Sequence, residues 1–385
     1  MNPLQHFEVH LALFVLALVA IAVSNAWGMK RLGRAAWSGP WPRVAVLIPA
    51  RDEERNIARC VVSLLRQDYP HLEIWVLDDH STDDTRGIVA ALQAQDGRLH
   101  LVEGKPLPPG WLGKTWACHQ LAQRTSADLL LFVDADTYLH PQAVADAVAA
   151  LCVHRADLLS ALPRQEVGSW GERLVVPMLS WSIYTFLPLG IAQHVHWPAF
   201  SAFNGQFLLF RRQAYEQIGG HAAIRDQVVD DLALGRRLIA ARLGWRLLDG
   251  STRIRCRMYH SWREVREGLT KNLFAVFGHR LLPFVFVWVW LPIVFVWPSA
   301  GLVMWRLGWA PPGFSAPAAT LTVFSSLLLW GLAYGRFRFP LYLIFLYPLS
   351  ILLSAIIAFR SLAYTLGGAT RWKGRPILRP SWRWF

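Results

Sequence analysis

Hydrophobic and polar residues follow two different rhythms along this chain, and the change of rhythm divides it. Residues 11–23 (LALFVLALVAIAV) carry no charge, and the uncharged stretch continues to Met29. A second uncharged run extends from Leu281 to Trp305, and two further apolar stretches cover 314–334 and 339–359. A helix crosses a bilayer core with about 20 apolar residues, so these segments predict membrane helices. Four such runs are more than the buried helices of a soluble core supply. Residues 43–280 behave differently. Short apolar runs, VAVLIPA (44–50), EIWVLDD (73–79), HLVE (100–103), DLLLFVDAD (128–136) and DLLSALP (157–163), predict five strands. Between them Ile57, Val61, Leu64 and Leu65 recur at helical spacing, and Ser81 with Asp84 forms a capping signal for a helix through Leu92. Further helices are expected near 114–124 and after Pro141. Five alternations of strand and helix predict an α/β, Rossmann-like and mainly parallel sheet, with its ligand at the carboxyl ends of the strands.

The expected organisation is an N-terminal transmembrane anchor at 1–29, a globular domain at 43–280, C-terminal membrane helices at 281–366 and a basic tail at 367–385. Residues 172–198 are apolar yet lie inside the globular part. They read equally well as a helix in the membrane interface, which would explain Trp181, Tyr184, Phe186 and Trp197 together, or as a buried core helix.

Charge adds the orientation. No Lys or Arg precedes the first apolar run, whereas Lys30, Arg31, Arg34 and Arg43 follow it, the order of an anchor rather than of a cleaved signal. The positive-inside rule then puts the globular domain in the cytosol, on a multi-pass protein of the cell (inner) membrane. The net charge of +13 comes from 39 basic and 26 acidic residues. Much of the excess flanks apolar runs, including Arg371, Lys373, Arg375, Arg379 and Arg383 in the tail. That distribution suits anionic membrane lipids better than nucleic acid. An even number of crossings after residue 280 keeps the tail inside; two crossings would place Arg336 and Arg338 outside. The stretch 281–305, interrupted by Pro283, Pro292 and Pro298, can be re-entrant instead. The four cysteines are widely spaced without a CxxC pair, which implies neither zinc nor a disulfide framework.

The chemistry lies in three acidic pairs. Asp78 and Asp79 end the second strand, and Asp134 and Asp136 end the fourth. Carboxylates just past adjacent strands converge where a diphosphate with Mg2+ or Mn2+ would sit, since these ions prefer oxygen ligands and bridge to phosphate. A single such pair often does no more than start a turn; two at neighbouring strand ends point to a site. Asp230 and Asp231 precede a run with helical spacing. One of them can be the general base for an acceptor hydroxyl, or the pair can simply cap the helix.

PARDEE (49–54), VLDDHSTDDT (76–85), GWLGKTWA (110–117), VDAD (133–136), FNGQFLLFRRQAYEQIGG (203–220) and VVDDLALGRRL (228–238) stand in the order seen in family 2 glycosyltransferases. The chain resembles that family over about 43–275. GWLGKTWA, GGHAAIRDQ (219–227) and RMYHSWREVREGLTKN (257–272) resemble its membrane-bound, lipid-modifying branch, which includes hopanoid-associated, carotenoid and ceramide glycosyltransferases. The resemblance implies a GT-A catalytic domain that takes one sugar from a nucleotide-sugar, a UDP-sugar, to a lipid acceptor hydroxyl with inversion. Pro49, Ala50, Asp52 and Glu53 would line the nucleotide pocket, and Asp78 and Asp79 would belong to it, Asp79 accepting from the base. Lys114, Gly205 and Gln206 would lie beside the donor sugar, and Asp134 would face the ribose or sugar and share the metal with Asp136. Asp231 would be the catalytic base, with Asp230 next to it. The Q-x-x-R-W signature of processive synthases is missing, since the nearest match, HSWRE (260–264), lacks the Gln. That favours single transfer over a processive synthase; a polyprenyl-phosphate glycosyltransferase is the nearest alternative. Arg236, Arg237, Arg263 and Lys271 are further candidates for holding the diphosphate.

Overall fold

The computed structural model describes residues 6–377 and 381–385; Arg379 of the tail lies outside them. Ten strands follow one another through the globular part. They are β1 (Val44–Ala50), β2 (Leu72–Asp78), β3 (Leu99–Glu103), β4 (Leu129–Val133), β5 (Thr137–Leu139) and β6 (Leu158–Leu162). Then come β7 (Arg164–Gln165), β8 (Phe207–Arg211), β9 (Trp245–Asp249) and β10 (Ile254–Cys256). Seven of them form one sheet in the order β3-β2-β1-β4-β8-β6-β9. It is parallel except for β8, which runs antiparallel to both β4 and β6. The near-continuous apolar run of β1 is what a parallel strand covered on both faces requires, and Val44 to Ile48 are all fully buried. Helix Ile57–Leu65 lays Ile57, Cys60, Val61 and Leu64 into that core. The strands predicted at 44–50, 73–79, 100–103, 128–136 and 157–163 are β1, β2, β3, β4 and β6, each within a few residues of its expected ends.

One local expectation fails. The helix after β2 begins at Thr85, and Ser81 does not cap it. The Ser81 hydroxyl accepts instead from the Asp52 N–H at 3.0 Å, while the Asp83 carboxylate accepts from both the N–H and the hydroxyl of Thr85. A tertiary bond has taken the side chain that the local pattern assigned to the helix.

Four helical segments are long and apolar enough to cross a membrane: Phe7–Gly28, Leu281–Arg306, Ala316–Phe337 and Leu341–Leu366. Large apolar side chains stay uncovered on them, among them Leu13 (59% exposed), Phe286 (65%), Phe324 (66%) and Ile356 (66%). Outward apolar faces of this extent suit lipid contact.

Their ends are tied to the globular domain by polar bonds. The Asn25 amide donates to the carbonyls of Tyr184 and Leu187 and accepts from the Leu189 N–H. Arg336, one residue before the end of Ala316–Phe337, donates to the Met29 carbonyl at 2.6 Å and pairs with buried Asp249 at the end of β9 at 2.6 Å. Arg336 therefore lies against the seven-stranded sheet, not at the far ends of the long apolar helices. The segment Leu341–Leu366 meets the globular domain at both ends. Arg173 donates to the Tyr342 hydroxyl at 3.1 Å, and the Ser361 hydroxyl accepts from the Phe274 N–H at 3.0 Å.

Residues 170–192 form three short helices. Trp181 and Tyr184 are buried, with Trp181 against Phe295 and Trp330 of the long apolar helices, whereas Phe186, Ile191 and Trp197 face outward. The stretch is thus both core and surface, one face for each.

Candidate active site

At the carboxyl ends of β1, β2 and β4 the chain leaves the sheet through acidic loops. Asp52 adopts φ +50°, a left-handed conformation uncommon for a non-glycine residue and a mark of functional loops. Its carboxylate accepts from the N–H and hydroxyl of Thr82, and Glu53 receives a fixed position through its N–H bond to the Thr85 hydroxyl at 2.7 Å. The 51–54 and 79–85 loops are thereby knitted into one wall.

That wall belongs to a cavity of about 780 Å³. Pro49, Ala50, Asp52, Glu53, Asp79, Lys114, Asp134, Asp136, Gly205, Gln206, Asp230 and Asp231 all line it. Three acidic pairs from distant parts of the chain therefore contribute to one space. Asp78 is the exception: its side chain is buried below the loop, 3.4 Å from the Ser81 N–H, and does not line the cavity.

Lys114 is the electrostatic centre. Its ammonium lies 2.8 Å from Asp134 and 3.3 Å from Asp230. Burial works against the charge, but the two carboxylates hold Lys114 well above the usual lysine range. In return, burial notwithstanding, Lys114 keeps Asp230 below the ordinary carboxylate range. Asp134 stays raised by burial despite the same lysine.

The two remaining carboxylates are left without such a partner. Asp231 accepts from the Gly205 N–H at 2.8 Å and from the Leu232 N–H at 2.7 Å, as the second residue of helix Asp230–Ala240. Burial, then the neighbouring Asp230 charge, push it up to about 7. A carboxylate poised near neutrality is a competent general base. Asp136 is likewise pushed up to about 7 by burial, with Asp134 and Glu53 adding to it. No ion pair reaches Asp136 among the described residues. A half-buried carboxylate flanked by acids and lacking a cation fits a hard divalent ion. No group of three or more metal-binding side chains is preassembled among the described residues. Asp136 and Asp134 are the residues that would hold such an ion together with a substrate phosphate.

Gln206 is buried, receiving a bond from the Gln165 amide at 2.7 Å and donating to the Cys256 sulfur at 2.9 Å. Gln165 and Cys256 carry no motif and were not legible as site residues. All four cysteines are free. Of the four further cations, only Lys271 lines the cavity. Arg236 donates to the Val276 carbonyl, Arg237 to that of Ile218, and Arg263 to Glu267 on an exposed helix face. Lys373 and Arg375, expected at lipid head groups, are instead part of the cavity wall.

The same cavity also has apolar lining, with Leu179, Ile183, Phe203, Leu232, Leu273 and Val276 in its wall. Leu179 and Ile183 come from helix Pro177–Phe186, whose Trp181 packs on Phe295, so this part of the wall adjoins the long apolar helices.

Residues 45–230 match the family model described as glycosyl transferase family 2. The chain is similar to a 4,4'-diaponeurosporenoate glycosyltransferase of Staphylococcus aureus (strain USA300), 26% identical over 240 residues. The match covers 60% of this chain and 60% of that protein, so the chain spans about three-fifths of the relative's length. Among solved structures it is similar to a mannosyltransferase from Pyrobaculum calidifontis in complex with GDP-Man and Mn2+. The TM-score is 0.56 at 18% identity, covering 94% of this chain and 99% of that one.

Proposed function

We propose that the chain, which matches the family 2 glycosyl transferase model at residues 45–230 and has a fold similar to that of a solved mannosyltransferase, is a glycosyltransferase that moves one sugar from a nucleotide-sugar to the hydroxyl of a membrane lipid, with inversion. The single observation that carries this reading is one cavity with two kinds of lining. Carboxylates suited to a nucleotide and a divalent ion line it together with apolar side chains suited to a lipid, with Asp231 among them. The relative named for a carotenoid-type acceptor, and the similar fold solved with GDP-Man and Mn2+, support the same substrate classes.

In this mechanism Asp79, Asp52 and Glu53 hold the nucleoside end of the donor. Lys114, fixed by Asp134 and Asp230, sets the position of the sugar. Asp231 takes the proton of the acceptor hydroxyl as its oxygen attacks the anomeric carbon and the bond to the diphosphate breaks. A divalent ion bound by Asp136, with Asp134 beside it, would offset the charge that develops on the departing diphosphate. Two oxygens on opposite faces of one carbon give inversion.

The polar ties at the helix ends support an orientation. Phe7–Gly28 and Ala316–Phe337 both end at the globular domain, Leu281–Arg306 starts from it, and Leu341–Leu366 touches it at both ends. We read this as two crossings after residue 280, with Leu341–Leu366 lying along the same membrane face as the catalytic domain. That face is the cytosolic side by the basic residues after the first helix.

The test is transfer itself. Purified protein, given a membrane lipid extract, Mn2+ and labelled UDP- and GDP-sugars in turn, should yield a lipid heavier by one hexose-type unit in mass spectrometry. A ladder of sugars would instead indicate a processive synthase, and label on a phosphate would indicate a polyprenyl-phosphate transferase.

A further inference from the structure

Beyond the last membrane segment the chain turns back into the cavity. Arg371–Trp372 and Arg375–Pro376 pair as a two-stranded hairpin. Its turn residues, Lys373 (φ +45°) and Gly374 (φ +77°), are both left-handed, as a tight two-residue hairpin turn requires. Three of its side chains make specific contacts. The Lys271 ammonium sits 3.8 Å from the centre of the Trp372 ring. The Lys373 ammonium donates to the Arg51 carbonyl at 2.5 Å and pairs with the Glu53 carboxylate. Arg375 grips Asp79 with both nitrogens, at 2.5 and 3.1 Å. The fit is close: a Cβ at Gly113 would come within 2.7 Å of the Arg375 guanidinium and 3.0 Å of Asp79.

Two consequences follow from this geometry. A bidentate guanidinium engages both oxygens of Asp79, so the N–H of a base competes with Arg375 for that carboxylate while the hairpin is docked. In addition, the cavity's other central cation, Lys114, is already engaged by Asp134 and Asp230. Besides Lys271, which lies over the Trp372 ring, a diphosphate entering the cavity can draw on Lys373 and Arg375, which sit on the two carboxylates of the nucleoside end.

We propose that the hairpin is a mobile part of the donor site: Asp79 and Glu53 park Arg375 and Lys373 in the free protein, the incoming base takes over Asp79, and the released cations close on the diphosphate. Base recognition and diphosphate binding are thereby coupled through one carboxylate. The inference rests on the nucleotide-sugar reading above.

Calorimetry on the full-length protein in detergent with Mn2+ tests it, using uridine, UDP, guanosine and GDP as probes. Arg375→Ala should weaken binding of the diphosphate by about tenfold or more, the loss expected for a charge-assisted pair. The same variant should bind the matching nucleoside as tightly as wild type or more so, because Asp79 is then free. Lys373→Ala should shift the diphosphate in the same direction, and Arg375→Lys should restore part of its affinity. If Arg375→Ala binds the diphosphate as tightly as wild type or more tightly, the hairpin only obstructs and the proposal is overturned. Equal weakening of nucleoside and diphosphate would reduce Arg375 to a structural prop and overturn it as well. Wild-type protein that binds none of the four probes would refute the nucleotide-sugar reading itself, and this inference with it.

Discussion

Asp231→Asn is expected to lower the rate of sugar transfer by about 10²- to 10⁴-fold, the contribution typical of a positioned general base, while leaving nucleotide affinity close to wild type. The asparagine keeps the size of the side chain but only one oxygen, so it can accept from one of the Gly205 and Leu232 N–H groups, which reach different oxygens of the carboxylate. The capacity to accept a proton and one of these two bonds are removed together. The wild-type pH profile should carry the same signature. Burial and Asp230 raise Asp231 to about 7, so the basic form is lost as pH falls through that value. The rate should therefore drop below about pH 7 and level off above it. Asp136 is raised to a similar value, but with a divalent ion bound its carboxylate stays ionised, so the limb belongs to Asp231. A residual rate in Asp231→Asn that retains this limb would assign it to another group. Stopped-time transfer assays from pH 5.5 to 9, together with calorimetry for the nucleotide, give both readouts.

Asp136→Asn should have the second large effect, on binding instead of chemistry. Groups that only orient a metal ligand cost 10- to 100-fold in affinity when removed, so loss of the ligand itself should weaken Mn2+-dependent binding of the nucleoside diphosphate by about 10²-fold or more. Chelator should then make no further difference. Stability should move the other way. A carboxyl whose folded value lies above its unfolded one favours the folded state at low pH, and that advantage is lost as pH rises through about 7. Above that pH the folded protein carries a buried, repelled charge that the amide does not have. In the presence of chelator at pH 8, the thermal midpoint of Asp136→Asn should equal or exceed that of wild type. A variant that melts well below wild type and keeps metal-dependent binding would show that Asp136 is structural.

These effects concern residues that could be read from sequence because their signal is local. An apolar run ending in acids marks a strand that delivers carboxylates to a sheet edge, and β2 and β4 do so. Asp230 and Asp231 announce themselves as the first residues of an amphipathic helix. Where local signals compete with distant partners, the distant partners win. Ser81 has the spacing of a cap but is held by Asp52. Asp78 shares the motif of Asp79, yet strand alternation turns its side chain inward, away from the cavity.

The cations were hardest to place. Arg236, Arg237 and Arg263 lie in the motif-bearing region but reach backbone carbonyls or a surface glutamate. Lys373 and Arg375 look like a membrane-surface tail, and their partners are nearly three hundred or more residues earlier in the chain. No periodicity encodes such a pairing; only the closing of the membrane helices against the globular domain creates it. The same holds for Arg336, whose salt bridge to Asp249 fixes which end of its helix meets the sheet.

The central claim is that donor and lipid meet in one cavity around Asp231. An experimental structure in lipid nanodiscs, with nucleoside diphosphate and Mn2+ added, examines it most directly. The account predicts nucleotide density between Asp79 and Asp136 and acyl-chain density against Ile183 and Leu273, with Asp231 between the two. Nucleotide bound on another surface, or an apolar end sealed from the bilayer, would contradict it.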